Sequence, residues 1–288
     1  MLSHMPTGSN PSLQDRMLGQ ALGPFRLEAV LGEGGMGVVY RAVREPTGET
    51  VAVKVLKQAL SSDSVYRQRF EREARVAREV QHRHLVPVLE MGEDDGVHYL
   101  AMAFVEGASL DERIEAEGPL PLPECVRIVD ELASGLDALH GEGLVHRDVK
   151  PANVMLDGQG TAALTDFGLA RSEAFTVLTT PGQVMGTLDY LAPELISSGS
   201  AAPASDIYAL GCLAYACVTG APPFADRTLF EVAVAHVDEP PSDPTLSRPE
   251  LPAAFAWGLL QALEKDPARR PTTARAYSRM LRVGMSAG

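Results

Sequence analysis

The apolar pattern of this chain changes period once, near Gly107, and that change restricts the fold more than any other feature of the sequence. Before it, Val-rich runs of alternating or continuous apolar residues recur at 25–31, 37–43, 50–56, 86–91 and 97–104. Short runs of this kind, broken by Gly-containing turns, predict antiparallel strands. Pro46, Thr47 and Gly48 mark one turn, and Asp94, Asp95 and Gly96 another. One helix is expected among them at 64–80, with Phe70, Ala74 and Ala77 on one face and Glu71 and Arg75 as an i,i+4 pair. After Gly107 the period is helical. The stretch 122–140 is strongly amphipathic and is predicted to stop at Gly141. The stretch 205–219 is apolar nearly all round, as a buried helix would be. Shorter helices are expected at 226–237, 252–264 and 273–281. A strand-rich part followed by a helix-rich part predicts an α+β chain in two lobes. The small β-rich lobe is expected at 23–104 and the larger helical lobe at 105–283, with a hinge near 103–107. Residues 1–22 mix Pro, Ser, Gly, Asn and Met without period and read as a flexible arm.

Composition removes several classes of function. A chain of 288 residues with 45% hydrophobic and 22% charged residues can bury a sizeable core and is not a disordered polymer. The formal net charge of −13 repels phosphate backbones, so nucleic acid is not an expected partner. Cys125, Cys212 and Cys217 form no CxxC pair, which argues against a disulfide framework or a structural zinc site and suits a reducing, cytoplasmic setting. The longest apolar stretch, near 207–218, is too short to span a bilayer, and no basic-then-apolar leader opens the chain.

Four segments carry chemistry. Gly32, Glu33, Gly34, Gly35, Met36 and Gly37 form a GxGxxG run that lets a main chain close over phosphates. In a dinucleotide fold this run would open a helix, but Val38, Val39, Tyr40, Arg41, Ala42 and Val43 follow and read as strand. The glycines are therefore expected on a hairpin tip. Lys54 then sits in an apolar strand, where an ammonium is costly without a partner, and Glu73 on the next helix offers a carboxylate. The chain has only four lysines against twenty-one arginines, so a retained Lys hints at a need for a compact ammonium. The third segment runs from His146 through Arg147, Asp148 and Lys150 to Asn153. It packs an acid, a base and an amide into one loop. Asp148 can accept a hydroxyl proton, Lys150 can neutralise a moving phosphate, and Asn153 can ligate a metal. The fourth is Asp166, Phe167 and Gly168, where a carboxylate at a strand end suits magnesium.

Taken in order, and on these elements, the segments resemble the signature set of the eukaryotic-like Ser/Thr protein kinases, and most closely their bacterial branch. The resemblance covers about residues 25–283. It implies the two-lobed protein-kinase fold, with the helix at 64–80 as the regulatory helix of the N-lobe. It implies an ATP-dependent kinase acting with Mg2+ (or Mn2+) on Ser/Thr hydroxyls of protein substrates. Residues Leu31 to Gly37 would cover ATP, and Val39, Ala52 and Met155 would sandwich adenine. Met102 would be the gatekeeper, with the main chain of Ala103 and Val105 bonding the adenine edge. Lys54 held by Glu73 would orient phosphates, and Asn153 and Asp166 would bind the metal. Asp148 would take the acceptor proton beside Lys150. Glu194 would pair with Arg270, and Asp206 would anchor the catalytic loop. Lys150 and Thr187 match the Ser/Thr branch. Arg147 and Arg171 are expected to take a phosphate on Thr179 or Thr180, formed by a monomer or a transient dimer through autophosphorylation. Two departures stand out: Ala103 replaces the usual Glu, and Arg83 with His84 replaces Pro-Asn. A pseudokinase or scaffold would lack one of Lys54, Glu73, Asp148, Asn153 or Asp166, and none is missing. A small-molecule phosphotransferase of related fold would generally lack the segment at Ala192, Pro193 and Glu194.

Overall fold

A computed structural model describes residues 17–34, 37–57, 64–166 and 188–287. Most of the expected N-terminal arm lies outside them. The chain divides into two compact units: Met1–Arg67 with Val88–Phe104, and Gln68–Pro87 with Val105–Gly288. Gln68–Pro87 lies inside the expected first lobe by chain order but belongs to the second unit.

The first unit is built on one sheet. Its strands are β1 (Ala21–Leu22), β2 (Phe25–Glu33), β3 (Gly37–Arg44), β4 (Glu49–Leu56), β5 (Val88–Asp94) and β6 (Val97–Ala103). They lie in the order β1-β2-β3-β4-β6-β5, and every neighbouring pair is antiparallel. Tyr40 stands opposite Val53, and Val53 opposite Ala101. Side chains alternate between faces along a strand. Tyr40, Ala42, Val51, Val53, Val55 and Ala101 therefore share a face, and they form the core with Phe25, Leu27 and Tyr99. Phe25 meets Tyr99 edge-on at 5.6 Å between centroids, and the Arg44 guanidinium lies 5.2 Å from the Phe25 ring. Asp95 and Gly96 join β5 to β6 with φ of 47° and 77°, the left-handed pair that a two-residue hairpin turn demands.

Helix α1 (Ser64–Glu79) leads into the second unit, which holds α2 (Leu110–Glu117), α3 (Leu122–Gly141), α4 (Pro193–Ser197), α5 (Pro203–Thr219), α6 (Leu229–Asp238), α7 (Ala253–Gln261) and α8 (Ala274–Ser286). A small sheet of β7 (Gly107–Ser109), β8 (Val154–Asp157) and β9 (Ala162–Leu164) accompanies them. Helix α3 buries Cys125, Ile128, Val129, Leu132 and Leu136 at helical spacing and packs on α5 and α8. Helix α5 is buried at every position from Ser205 to Val218 and ends at left-handed Gly220, as its all-round apolar sequence predicts.

Several boundaries differ from expectation. Gly141 is helical, and the left-handed residue that ends the turn is Gly143, two positions on. Helix α6 begins at Leu229 rather than 226, because Asp226 itself has φ of 64°. Its start is a capping box in which Thr228 and Glu231 satisfy each other's main-chain N–H groups. The strand expected from 86 begins at Val88, and Leu85 and Val86 pair with Leu164 instead. Among the described residues no helix is long and apolar enough to cross a membrane.

Candidate active site

The sheet of the first unit collects one group of the expected site residues. Gly32 lies opposite Val39 and Glu33 opposite Val38, and the Gly34 N–H donates to the Gly37 carbonyl at 2.8 Å. The glycines thus close a hairpin, with Leu31 exposed on β2 beside them. Gly35 and Met36 lie outside the described residues. Val39 pairs with Lys54 and Lys54 with Leu100, while Ala52 pairs with Met102. The pleat puts Val39, Ala52, Lys54, Leu100 and Met102 together on the face opposite the core. Ala103 ends β6 opposite Val51. Lys54, at 9% exposure, and Met102 are buried.

The second unit collects the rest around one buried carboxylate. Asp206, in the first turn of α5, accepts the main-chain N–H of His146 through Oδ2 and of Arg147 through Oδ1, both at 2.8 Å. His140 Nε2 lies 2.8 Å from Oδ2 as well. A buried carboxylate is tolerable only when its lone pairs are met in this way. The pinned loop includes Arg147 at φ of 65°, a backbone state costing a non-glycine residue about 1–3 kcal/mol. His146 fixes the next step: its Nε2 donates to the Thr165 carbonyl at 3.2 Å and its Nδ1 accepts the Asp148 N–H at 3.3 Å. Burial pushes this imidazole down, against the pull of Asp206, Asp148 and Asp166, so the neutral tautomer fits both bonds.

Asp148 is then held by its side chain. The Asn153 amide donates to its carbonyl and to Oδ2, both at 2.8 Å, and Lys150 Nζ stands 3.1 Å from Oδ2. The Asn153 carbonyl accepts the Thr165 N–H at 2.9 Å, which fixes the neighbouring Asp166 beside the same loop, at φ of 61°. Met155 follows on β8, opposite Ala163 of β9. Val105 opens the longer segment of this unit. Glu73 of α1 is buried and takes the Arg147 guanidinium at 3.0 and 3.2 Å. Neither that pair nor His140 is anticipated by the sequence reading. Phe167, Gly168, Arg171, Thr179, Thr180 and Thr187 lie outside the described residues.

A second buried group stands beside the first. Arg270, its side chain fully buried, forms a fork with Glu194 at 2.7 and 2.8 Å. Burial alone would raise the Glu194 carboxyl, but Arg270 and the Ser205 hydroxyl hold it below the usual range. Tyr190 and Leu191, just ahead of Glu194, line a small hollow with Arg147, Asp148 and Val149.

Residues 25–280 match the protein kinase domain family. The serine/threonine-protein kinase PknH of Mycobacterium bovis is 40% identical over 261 residues, covering 91% of this chain and 44% of the relative. PknE of Mycobacterium tuberculosis is 41% identical over 255 residues, covering 88% and 45%. The chain thus spans under half the length of these curated relatives. A crystal structure of the Mycobacterium tuberculosis PknI kinase domain superposes with a TM-score of 0.74 at 32% identity, covering 92% of this chain and 98% of that one. With its family match running from β2 into α8, and with Asp148, Lys150 and Asn153 gathered over Asp206, the chain belongs to the protein kinase domain family.

Proposed function

We propose that this domain transfers the γ-phosphoryl group of ATP to serine and threonine hydroxyls of proteins. The anchoring of Asp148 carries the reading: main chain set by His146 and Asp206, carboxylate set by Asn153 and Lys150. An acceptor hydroxyl bonded to Asp148 gives up its proton there as the oxygen attacks, and Lys150 offsets the charge that develops beside it. Positioning and charge compensation are most of what phosphoryl transfer asks of a protein. The Asn153 amide and the Asp166 carboxylate offer hard oxygen atoms of the kind magnesium or manganese takes, with waters and phosphates filling the rest of the shell. Held there with ATP, such an ion would neutralise charge on the phosphates. In this reading Lys54 orients the α and β phosphates with Glu73 as its expected carboxylate partner, while the Leu31 to Gly37 hairpin covers them. Val39, Ala52 and Met155 enclose the adenine, Met102 is the gatekeeper, and the Ala103 and Val105 main chain bonds its edge.

Lys150 and Thr187 favour Ser/Thr over Tyr acceptors. Thr179 and Thr180 are the regulatory phosphosites in this reading, and Arg147 is one receiver. Arg147 already pairs with Glu73, so an incoming phosphate competes with a carboxylate, and its higher charge and three acceptor oxygens favour it.

Asp148→Asn tests the reading. Phosphate transfer to protein should fall about 10²–10⁴-fold, with ATP affinity near wild type. Transfer within a fewfold of wild type, or products dominated by phosphotyrosine, would overturn it.

A further inference from the structure

We propose that Lys265 is a positioning residue for the protein acceptor, fixing α6 as the wall that supports the Leu188–Tyr190 turn beside Asp148. This rests on the kinase reading above and extends it to a lysine that plays no part in phosphate chemistry.

The turn matters because Tyr190 and Leu191 line the same small hollow as Asp148. Whatever sets the turn therefore sets one side of the place where an acceptor hydroxyl must arrive. Leu188 and Leu191 do not hold themselves. They pack on Val232 of α6, with Leu195 and Ile196 of α4 against the same cluster. The turn is thus held between two helices, and each needs its own anchor. For α4 the anchor is the Glu194–Arg270 fork.

For α6 it is Lys265. The Nζ donates to the Ala235 carbonyl at 2.9 Å and the His236 carbonyl at 2.8 Å. These belong to the last turn of α6 (Leu229–Asp238), where the helix dipole favours a cation; the Ala235 carbonyl also takes the Glu239 N–H at 3.0 Å. The ammonium also lies 4.9 Å from the Phe224 ring centre and 5.8 Å from that of Tyr208. Tyr208 in turn bonds His236 Nδ1 at 2.9 Å, so the same helix turn is gripped from its main chain and from a side chain. The two anchors are one piece of chain. Arg270 donates through Nε to the Glu264 carbonyl at 2.7 Å and through NH2 to the Lys265 carbonyl at 3.0 Å. The segment from Glu264 to Arg270 is a bracket in which Lys265 and Arg270 secure the two helices on either side of the turn. Burial lowers the Lys265 ammonium from 10.5 to about 8, which still leaves it charged at neutral pH to make these contacts.

The experiment compares wild type with Lys265→Met and Lys265→Arg, using myelin basic protein as a generic acceptor. Wild-type phosphate transfer tests the kinase reading; the variants test Lys265. Lys265→Met should raise the KM for the acceptor about tenfold, while the KM for ATP and the ATP hydrolysis measured without acceptor stay within about twofold. Lys265→Arg, which restores charge and donors, should bring the acceptor KM back to within about threefold of wild type. If Lys265→Met does not fold, Lys265→Gln is measured in the same way. An unchanged acceptor KM, an equal rise in both KM values, or an Arg variant no better than Met would each overturn the proposal.

Discussion

Acid should destabilise the second unit through His236. The ring is wholly buried, 4.9 Å from Phe224 and 5.7 Å from Tyr208 between centroids. Burial first, and the Lys265 ammonium second, push the imidazole from 6.5 down to about 3. Burial keeps Tyr208 protonated, so its hydroxyl donates to Nδ1. Nε2 faces the Asp189 main chain without a hydrogen bond of normal geometry. Among the described residues, nothing packed on the ring supplies a carboxylate to welcome a proton. Because the folded value lies below the unfolded one, the unfolded chain binds the proton first. Stability is unaffected above about 6.5 and declines as pH falls toward about 3. At pH 5, about 1.5 below the unfolded value, the loss is about 2 kcal/mol, a large part of a typical total of about 5–15. His236→Asn keeps an acceptor for Tyr208 and removes the titration. The single tryptophan, Trp257 on α7, lies in the second unit and reports its unfolding in urea. Wild type should lose about 2 kcal/mol more than the variant between pH 7 and pH 5. His146, also lowered by burial, is present in both proteins and cancels. Equal losses in the two proteins would refute the reasoning.

Glu194→Ala leaves the fully buried Arg270 side chain without its carboxylate and should cost about 3–5 kcal/mol in the same urea assay. Gly284→Ala puts a Cβ 2.7 Å from the Phe255 Cα and 2.8 Å from the Ala254 carbonyl oxygen, so α7 and α8 must separate. A cost of about 1–3 kcal/mol is expected, and a neutral result would mean the helices yield freely. Gly37→Ala would drive a Cβ into the Val55 carbonyl and should raise the KM for ATP while leaving the Trp257 transition in place. Thr179→Ala combined with Thr180→Ala should lower activity toward an external protein; full activity, with no phosphate found on this segment of the active enzyme, would remove the phospho-switch.

Local chemistry made much of the molecule legible. Val-rich alternation located β2, β3 and β4 because one sheet face is core and the other is not, and Asp95 with Gly96 announced a turn that needs two left-handed residues. The all-round apolar run at 205–219 could only be a buried helix. Other starts were written just as locally and passed over. Ser109 and Glu112, like Thr228 and Glu231, form capping boxes that fix the starts of α2 and α6. Gly141 misled because a C′ position was assigned to the first glycine after the amphipathic run, whereas the chain uses Gly143. What no local pattern reveals is pairing across the chain. Arg147 and Glu73 are 74 residues apart, and His140 and Asp206 are 66 apart. A spacing rule has no purchase at that range, since only the packed helices bring such groups together.

The first turn of α5 explains why the loop and the bracket form one system. Three successive residues there serve three different segments. Ala204 offers its carbonyl to Arg270 at 2.9 Å, Ser205 donates its hydroxyl to Glu194 at 2.7 Å, and Asp206 takes the His146 and Arg147 N–H groups. These carboxylates sit near a helix N-terminus, whose dipole favours negative charge. Behind that turn the helix is apolar on every side, so the local dielectric is low and each of these bonds is stronger than it would be in water. The same burial makes any unmet group expensive, which is why the strained Arg147 backbone persists: relaxing it would strip Asp206 of a donor in a place water does not reach. A helix whose sequence reads as mere core thus supplies the rigid reference for both Asp148 and Glu194. Small changes in how α5 is seated should therefore move catalysis and acceptor binding together.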